Sequence, residues 1–231
     1  RLTLMILVLF GAINFIPIEI FHINTPYLET LLYRSNNFFP SIFVLLCFLF
    51  IINGANLIDG FNGLLTINLI IINIILTYIN MNNENLEFSI LIISQIIILL
   101  SFLLFNFPNA KIFFGDSGAY LMGALTSLNT IITNNLNPEI SSYFFCTILS
   151  YLFFEVFFSF FRKISQNKSP IYPDDEHLHM LSFYKISSKY GKNKGNYLNS
   201  IIINFFYLIL ITPGLYLLYD PQLSRYWFFI L

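Results

Sequence analysis

Charged residues are scarce in this chain of 231 residues, making up 10% of the sequence. Soluble domains carry roughly 25% charged residues. Hydrophobic residues make up 57%, with 28 Phe and 14 Tyr among them. One compact core of this length does not hide so much apolar surface from water. The composition therefore disfavours a water-soluble domain, and we expect a lipid bilayer to cover much of the surface.

A basic surface and a cysteine framework are also missing. The formal net charge is −1, which supplies no basic field for a nucleic acid, so nucleic acid is not an expected partner. The two cysteines, Cys47 and Cys146, lie inside apolar runs and lack partners at metal-ligand spacing. Neither a disulfide framework nor a zinc site is predicted from them.

Long apolar runs predict an all-α fold, a polytopic integral membrane bundle. A spanning helix needs about 20 mostly apolar residues, because each residue rises about 1.5 Å through about 30 Å of hydrocarbon. An apolar stretch that begins at Tyr226 is a candidate start of an eighth span. About seven segments meet or approach the required length, namely 2–18, 41–58, 64–79, 88–105, 118–133, 141–161 and 201–219.

The ends of the sequence suggest a piece of a longer protein. The chain starts with Arg1 rather than Met and stops at Leu231 inside an apolar run. We expect 1–231 to be a single transmembrane domain that lacks its N-terminal part. Further spans after Leu231 are left open.

The distribution of Lys and Arg predicts which loops face the cytoplasm. Seven of the eleven lie between Arg162 and Lys194, and basic residues accumulate in cytoplasmic loops. Counting spans back from this basic loop places 108–116 and 54–63 inside, and 80–87 and 134–140 outside. Three polar segments would therefore share the cytoplasmic face.

The first polar segment, 56–64, interrupts the hydrocarbon with an acid and two glycines. Asp59 is flanked by Asn56 and Asn62, each three residues away. An unpaired ionisable group near a span terminus is costly, and Gly60 and Gly63 permit tight turns and close ligand approach. We interpret the segment as part of a binding site. A polar turn without function is the alternative.

The second polar segment, 105–118, leads into a span. Asp116 lies between Gly115 and Gly118 at the start of a helix, with Asn106 and Lys111 upstream. Its carboxylate would hold a divalent metal that grips phosphate oxygens. The alternative is that Asp116 only caps the helix.

The third polar segment, 173–181, carries His177 and His179 beside three acids. Two histidines are too few for a zinc site, and an anionic phosphate ligand suits imidazoles in a basic loop better. A solvated loop is the alternative. Glu155, inside the sixth span, faces either the same cavity or water. His22 is predicted to be structural.

Together the three segments resemble those of the polyprenyl-phosphate N-acetylhexosamine-1-phosphate transferases. This membrane family contains the phospho-MurNAc-pentapeptide transferases and the UDP-GlcNAc:undecaprenyl-phosphate GlcNAc-1-phosphate transferases. Residues 56–64 resemble its Asn-x-x-Asp-Gly-x-Asp/Asn-Gly-Leu segment, 113–118 its Phe-x-Gly-Asp-x-Gly segment, and 177–179 its histidine motif. The three occur in family order, and the resemblance covers nearly the whole chain.

The resemblance implies transfer of a sugar 1-phosphate from a UDP-sugar donor to a polyprenyl phosphate acceptor, with release of UMP. It implies an enzyme of the EC 2.7.8 type in the bacterial cytoplasmic (inner) membrane, with Mg²⁺ as cofactor and Mn²⁺ as an alternative. By position, Asp116 would be the metal ligand and, with Asp59, His177 and His179, a catalytic residue. Asn56, Asn62, Asn106 and Lys111 would bind substrate.

Departures from the family pattern shape further expectations. Asn62 replaces a second Asp, and Met180 follows the histidine pair where several members have histidine. The family normally has a pair of adjacent Asp residues upstream of the span that begins this chain. No such pair precedes Asp174 here, so we expect residues 1–231 alone to be inactive. The histidine segment favours the GlcNAc-1-phosphate branch, feeding O-antigen or another envelope glycan. A non-catalytic scaffold and a polytopic transporter are the rival functions, and a homodimer is left open.

Overall fold

The computed structural model describes residues 2–15, 19–34, 38–169 and 176–231, which form helices and contain no strand. The all-α prediction is thereby confirmed. In chain order the helices are α1 (Leu2–Phe15), α2 (Pro26–Arg34), α3 (Phe38–Ile58), α4 (Leu64–Asn82), α5 (Leu86–Asn106), α6 (Gly115–Leu136), α7 (Ser142–Ile148), α8 (Ser150–Ser165), α9 (Leu178–Tyr190), α10 (Lys192–Leu217) and α11 (Pro221–Ile230).

Four of these helices, α3, α4, α5 and α10, are long and apolar enough to cross a membrane. The bent pair of α7 and α8 is a fifth candidate. Helix α5 shows why lipid is the expected surroundings, because large apolar side chains such as Ile90, Leu104 and Phe105 are exposed along it. The protein is therefore a multi-pass membrane protein.

The prediction of about seven spans is not confirmed by this count. Helix α1 has 14 residues and ends at Phe15, and residues 16–18 of that predicted span lie outside the described part of the chain. Helix α6 has 22 residues, but six buried Ser, Thr and Asn side chains make it less apolar than the others.

The predicted span over 141–161 is not one continuous helix. It breaks at Leu149 into α7 and α8, which are bent by 70°. At the break, the buried hydroxyl of Tyr207 donates a hydrogen bond to the carbonyl oxygen of Ile148. A side chain that takes over a carbonyl from the helical ladder is a recognised cause of a sharp bend. Hydropathy along one segment does not reveal a partner from α10.

The basic loop predicted between the last two spans is largely helical. Helix α9 occupies 178–190, and α10 begins at Lys192 rather than at 201. The stretch from Tyr226 belongs to α11, whose ten residues are too few to cross a bilayer. Helix α9 packs on α10, and α11 packs on α7. The histidine segment thus lies at the start of a helix packed on the bundle.

A polar seam of carboxamide and hydroxyl side chains joins α4, α5 and α6. Asn129 donates to Asn73 Oδ1 at 3.0 Å and to Gln95 Oε1 at 2.7 Å. Gln95 in turn donates to Thr126 Oγ1 at 3.0 Å. In a low-dielectric interior such groups must find partners on neighbouring helices. We define the polar seam as Asn73, Asn80, Gln95, Thr126, Asn129 and Thr133.

The connections between helices lie at two opposite ends of the bundle. At one end, Asn62 of the α3–α4 turn donates to the carbonyl of Pro108 in the α5–α6 loop at 2.8 Å. At the other end, Asn83 after α4 donates to Asn137 and Glu139 after α6, both at 2.6 Å. We call the first end the motif end. The first two polar segments are both there.

Small residues let α3 lie close to its neighbours. A Cβ added to Gly54 would be 2.6 Å from the carbonyl oxygen of Leu152 on α8. A Cβ added to Gly123 of α6 would be 2.9 Å from the Cβ of Ala55 on α3. Close backbone approach at small residues is a common way for membrane helices to pack.

We expect Gly54→Ala to destabilise the protein by about 1–3 kcal/mol, because the added methyl meets backbone that has no room to move. The measurement is the thermal unfolding midpoint of the full-length protein in detergent. Gly11→Ala in α1 is the matched control, since a Cβ there has no atom within 4 Å. An unchanged midpoint for Gly54→Ala would contradict the close α3–α8 packing.

Candidate functional site

The turn from α3 to α4 is built around Gly63. Its φ is 80°, which favours glycine, and an added Cβ would lie 2.8 Å from the Phe107 ring. The Gly63 N–H donates to Asn106 Oδ1 at 2.7 Å. The first polar segment is therefore attached directly to the last residue of α5.

Asn106 connects the two acidic segments through both ends of its carboxamide. While its oxygen accepts from Gly63, its Nδ2 donates to the carbonyl of Ile112 at 2.8 Å. The side chain is buried, so these bonds replace water that it cannot reach. The turn carrying Asp59 and the loop leading to Asp116 are held in one arrangement as a result.

Asp116 lies in the first turn of α6 and is exposed. The preceding Gly115 has φ 61°, and the ring of Phe114 stacks on Phe102 of α5 with centroids 3.8 Å apart. The residue that precedes the helix is Phe114, so Asp116 is not the residue in the N-cap position. An acid in the first turn is still favoured by the helix dipole. Its exposure leaves the carboxylate accessible to solvent.

Asp59 is half-buried in the turn and lies close enough to Asp116 to be affected by its charge. Partial burial, and next the nearby charge of Asp116, raise the pKa of the Asp59 carboxyl to about 7. Two carboxylates that oppose each other's ionisation are a suitable pair for a cation. No group of three His, Cys, Asp or Glu able to hold a metal occurs in the described ranges. Magnesium commonly uses one or two carboxylates with substrate phosphates, so the pair fits that mode.

The two histidines are held by one buried glutamate. Nδ1 of His179 is 2.9 Å from Glu155 Oε1, and Nδ1 of His177 is 3.7 Å from Glu155 Oε2. The two imidazole rings are stacked, with centroids 5.3 Å apart and planes within 3°. The side chains are buried at 8% and 3% exposure, so the alternative of a solvated loop is wrong for both.

His179 lies beside the first polar segment. Its ring packs nearly perpendicular to Phe61 at a centroid distance of 5.6 Å, and a Cβ on Gly60 would be 3.6 Å from Nε2. Asn199 and Ser182 both donate to the His179 carbonyl, at 2.9 and 3.0 Å. All three polar segments therefore meet at the motif end.

Charged neighbours surround the start of the histidine segment. Arg162 Nη1 is 2.9 Å from Glu176, and Lys168 Nζ is 3.4 Å from it. A hydrogen bond from Gln166 and the charge of Lys168 lower the pKa of the Glu176 carboxyl. Glu176, the residue before His177, thus connects the start of the histidine segment to the end of α8.

Of the other residues predicted from the sequence, those that the structure describes have no side-chain hydrogen bond or ion pair that ties them to the site, or lie away from it. Asn56 is half-buried in the last turn of α3, and Lys111 is exposed in the α5–α6 loop. Asp174 and Asp175 lie outside the described residues. The backbone carbonyl of His22 accepts from Asn134 and Ser142, which agrees with a structural part for that segment.

Sequence reasoning missed Asn196 and Asn199 on α10 and Tyr151 on α8. Asn196 Oδ1 accepts from the Asn62 N–H at 2.8 Å, and the Tyr151 hydroxyl donates to Glu155 at 3.1 Å. Asparagines are common in this chain, so those two carried no distinct signal. Only the fold shows that the start of α10 supports both the first and the third segments.

The arrangement defines a helical membrane protein with paired acids and paired histidines at one end of the bundle. The family model described as Glycosyl transferase family 4 matches residues 1–134. This is more than half of the chain, which therefore belongs to that family. The match includes Asp59 and Asp116, and it confirms the family resemblance predicted from the three segments.

Curated relatives agree with the family assignment. An undecaprenyl-phosphate alpha-N-acetylglucosaminyl 1-phosphate transferase of Thermotoga maritima is 31% identical, over 66% of this chain and 45% of its own length. A phospho-N-acetylmuramoyl-pentapeptide-transferase of Leuconostoc mesenteroides is 41% identical, over 35% of this chain and 25% of its own length. A Clostridioides difficile protein of the latter name is 30% identical, over 53% and 39%. The chain spans less than half the length of these relatives.

We expect Asn106→Leu to lower the free energy of unfolding by about 1–3 kcal/mol, because it leaves the Gly63 amide and the Ile112 carbonyl without their partner. The measurement is thermal unfolding in detergent. Asn109→Leu, at an exposed position of the same loop, is the control and is expected to change the midpoint little. Equal midpoints for Asn106→Leu and the wild type would contradict the linking role of Asn106.

Proposed function

We propose that the protein transfers a sugar 1-phosphate from a UDP-N-acetylhexosamine to a polyprenyl phosphate, with release of UMP. The observation that carries this proposal is that Asn106 joins the turn of Asp59 to the loop before Asp116, at the end of the bundle where the histidines also lie. The activities for which the relatives are named support the same type of transfer.

The proposed reaction brings two phosphate-bearing substrates together, and their negative charges repel. Mg²⁺, with Mn²⁺ as an alternative, would be held by Asp116 near Asp59, with substrate phosphates completing the ligand set. When bound, the ion would neutralise charge that develops on the attacking and leaving oxygens. Asp116 suits this role because its carboxylate is exposed in the first turn of α6.

The remaining side chains would bind and orient the substrates. Asp59, half-buried in the α3–α4 turn, would help bind the nucleotide or organise the catalytic acids. Asn56, Asn62, Asn106 and Lys111 would contact the donor or shape its site. His177 and His179 would contact phosphate oxygens or the uridine. Asp59, Asp116 and the histidines are the residues we propose as catalytic.

We propose that the motif end faces the cytoplasm of a bacterium and that the chain crosses its inner membrane about seven times. This requires α1 and α6 to cross beside the five candidates. The basic cluster from Arg162 to Lys194 at the motif end supports this orientation.

We further propose that the donor is UDP-GlcNAc and that the product feeds an envelope glycan such as O-antigen. The histidine segment supports this choice, because His179 is followed by Met180 rather than a third histidine. The Thermotoga maritima relative, named for an N-acetylglucosaminyl 1-phosphate transfer, aligns with 66% of the chain.

We expect the full-length protein in detergent to release UMP from UDP-GlcNAc and undecaprenyl phosphate with Mg²⁺, and to stop when EDTA is added. Asp116→Asn is expected to reduce the rate at least about 100-fold, because it removes charge from the ligand set. The matched control is Asp220→Asn. Asp220 accepts from the amides of Gln222 and Leu223 at the start of α11, and an asparagine oxygen still accepts them.

No UMP release from folded protein, with any of several UDP-N-acetylhexosamines, would overturn the proposal. It would favour a non-catalytic membrane relative. Release that persists in EDTA, or in Asp116→Asn, would overturn the metal role while leaving the transfer intact.

Donor choice is tested in the same assay with UDP-GlcNAc and UDP-MurNAc-pentapeptide. We expect kcat/KM to be at least about tenfold higher for UDP-GlcNAc, a difference equivalent to about 1.4 kcal/mol. A preference for the muramoyl donor would contradict the assignment drawn from the histidine segment.

A further inference from the structure

Glu155 is enclosed by the protein, with an exposure of 0%. Its Oε1 accepts from the Tyr151 hydroxyl at 3.1 Å and from the His179 backbone N–H at 3.3 Å, and it contacts His179 Nδ1 at 2.9 Å. A buried carboxylate costs several kcal/mol unless it is paired. These contacts satisfy one oxygen, and the other lies 3.7 Å from His177 Nδ1.

The contact constrains where His179 carries its proton. A carboxylate accepts hydrogen bonds and does not donate them, so a ring nitrogen bonded to it must be protonated. The hydrogen bond made by one ring nitrogen decides the state of the other. In His179, Nδ1 is used by Glu155, and Nε2 faces the backbone of Gly60 next to Asp59.

We propose that Glu155 is a positioning residue that holds the proton of His179 on Nδ1. With the proton on Nδ1, the neutral ring presents the lone pair of Nε2 at the Asp59 turn, where it accepts a hydrogen bond from an O–H or N–H group of the substrate. The inference rests on the proposed transferase function, which it deepens. Glu155 acts through the histidine, since it is itself closed off from solvent.

A carboxylate is needed here because two imidazoles face it. One oxygen is in hydrogen-bond contact with Nδ1 of His179 at 2.9 Å, and the other faces Nδ1 of His177 at the longer distance of 3.7 Å. A glutamine of the same shape has one accepting oxygen and one donating nitrogen. Glu155→Gln therefore leaves one of the two rings facing a donor, and that ring must move its proton to Nε2 or turn away.

The stacked geometry makes this constraint tight. The two imidazole rings lie parallel, and Phe61 packs against His179 at an interplanar angle of 75°. Asn199 and Ser182 fix the His179 backbone from the other side. A ring enclosed in this way adapts to a new neighbour more readily by moving a proton than by changing its rotamer.

The experiment uses the full-length protein with ¹⁵N-labelled imidazoles, in wild type, Glu155→Gln and Glu155→Asp. The 231 residues contain three histidines, His22, His177 and His179, and the variants His177→Gln and His179→Gln assign the two signals of interest. We expect wild-type His179 to be protonated on Nδ1. In Glu155→Gln we expect an Nε2-protonated signal from one of the two rings.

Turnover is measured on the same samples. We expect Glu155→Gln to lower kcat about 100-fold, with KM for the donor changed less, because the misplaced proton affects the reacting state. Glu155→Asp keeps the carboxylate and should recover part of the rate and the wild-type ¹⁵N pattern. Glu139→Gln, at the end opposite the motif end, removes a charge without either effect.

Three results would overturn the inference. The first is wild-type His179 protonated on Nε2 alone, which is decisive even if Glu155→Gln does not fold. The second is lost turnover in Glu155→Gln with unchanged ¹⁵N signals. The third is a shifted proton with unchanged turnover. If wild type releases no UMP, the proposed function fails, and the ¹⁵N spectra still decide whether Glu155 holds the proton on Nδ1.

Discussion

The hydrogen bonds of one buried carboxamide determine the arrangement on which the candidate site depends. Asn106 ends α5, accepts from the Gly63 amide and donates to the Ile112 carbonyl, so two turns that are far apart in sequence are joined. The proximity of Asp59 and Asp116 follows from this joint rather than from any direct attraction, since like charges repel. The backbone brings the acids together against their electrostatic preference.

Burial separates the acids of the motif end into two kinds. Asp116 is exposed and Asp59 is half-buried, so both remain open to a charged ligand. Glu155 is closed off from solvent, and one of its oxygens is hydrogen-bonded by tyrosine and histidine groups. An acid accessible to solvent is able to meet a substrate or a cation, whereas an enclosed one influences chemistry only through the side chains that surround it.

Much of the fold was predictable because it follows from the hydropathy of the helices and from the alternation of successive loops between the two ends of the bundle. The apolar runs predicted α3, α4 and α5 to within a few residues, and the alternation of loops placed Asp59 and Asp116 at the same end. The bend at Leu149 was not predictable, since it depends on a hydroxyl from α10. The partnership of Glu155 with His179 joins residues 24 positions apart across a helix and a loop. No local pattern encodes such a contact.

The composition of α6 has a consequence for how the protein is assembled. This helix carries several buried polar side chains, which would be unfavourable if the helix were surrounded by lipid alone. Its Thr126 and Asn129 are instead hydrogen-bonded to Gln95 on α5 and Asn73 on α4. Such a helix is stabilised in the membrane by hydrogen bonds to neighbouring helices. The stability of α6 in the membrane therefore depends on its contacts with α4 and α5, which precede it in the chain.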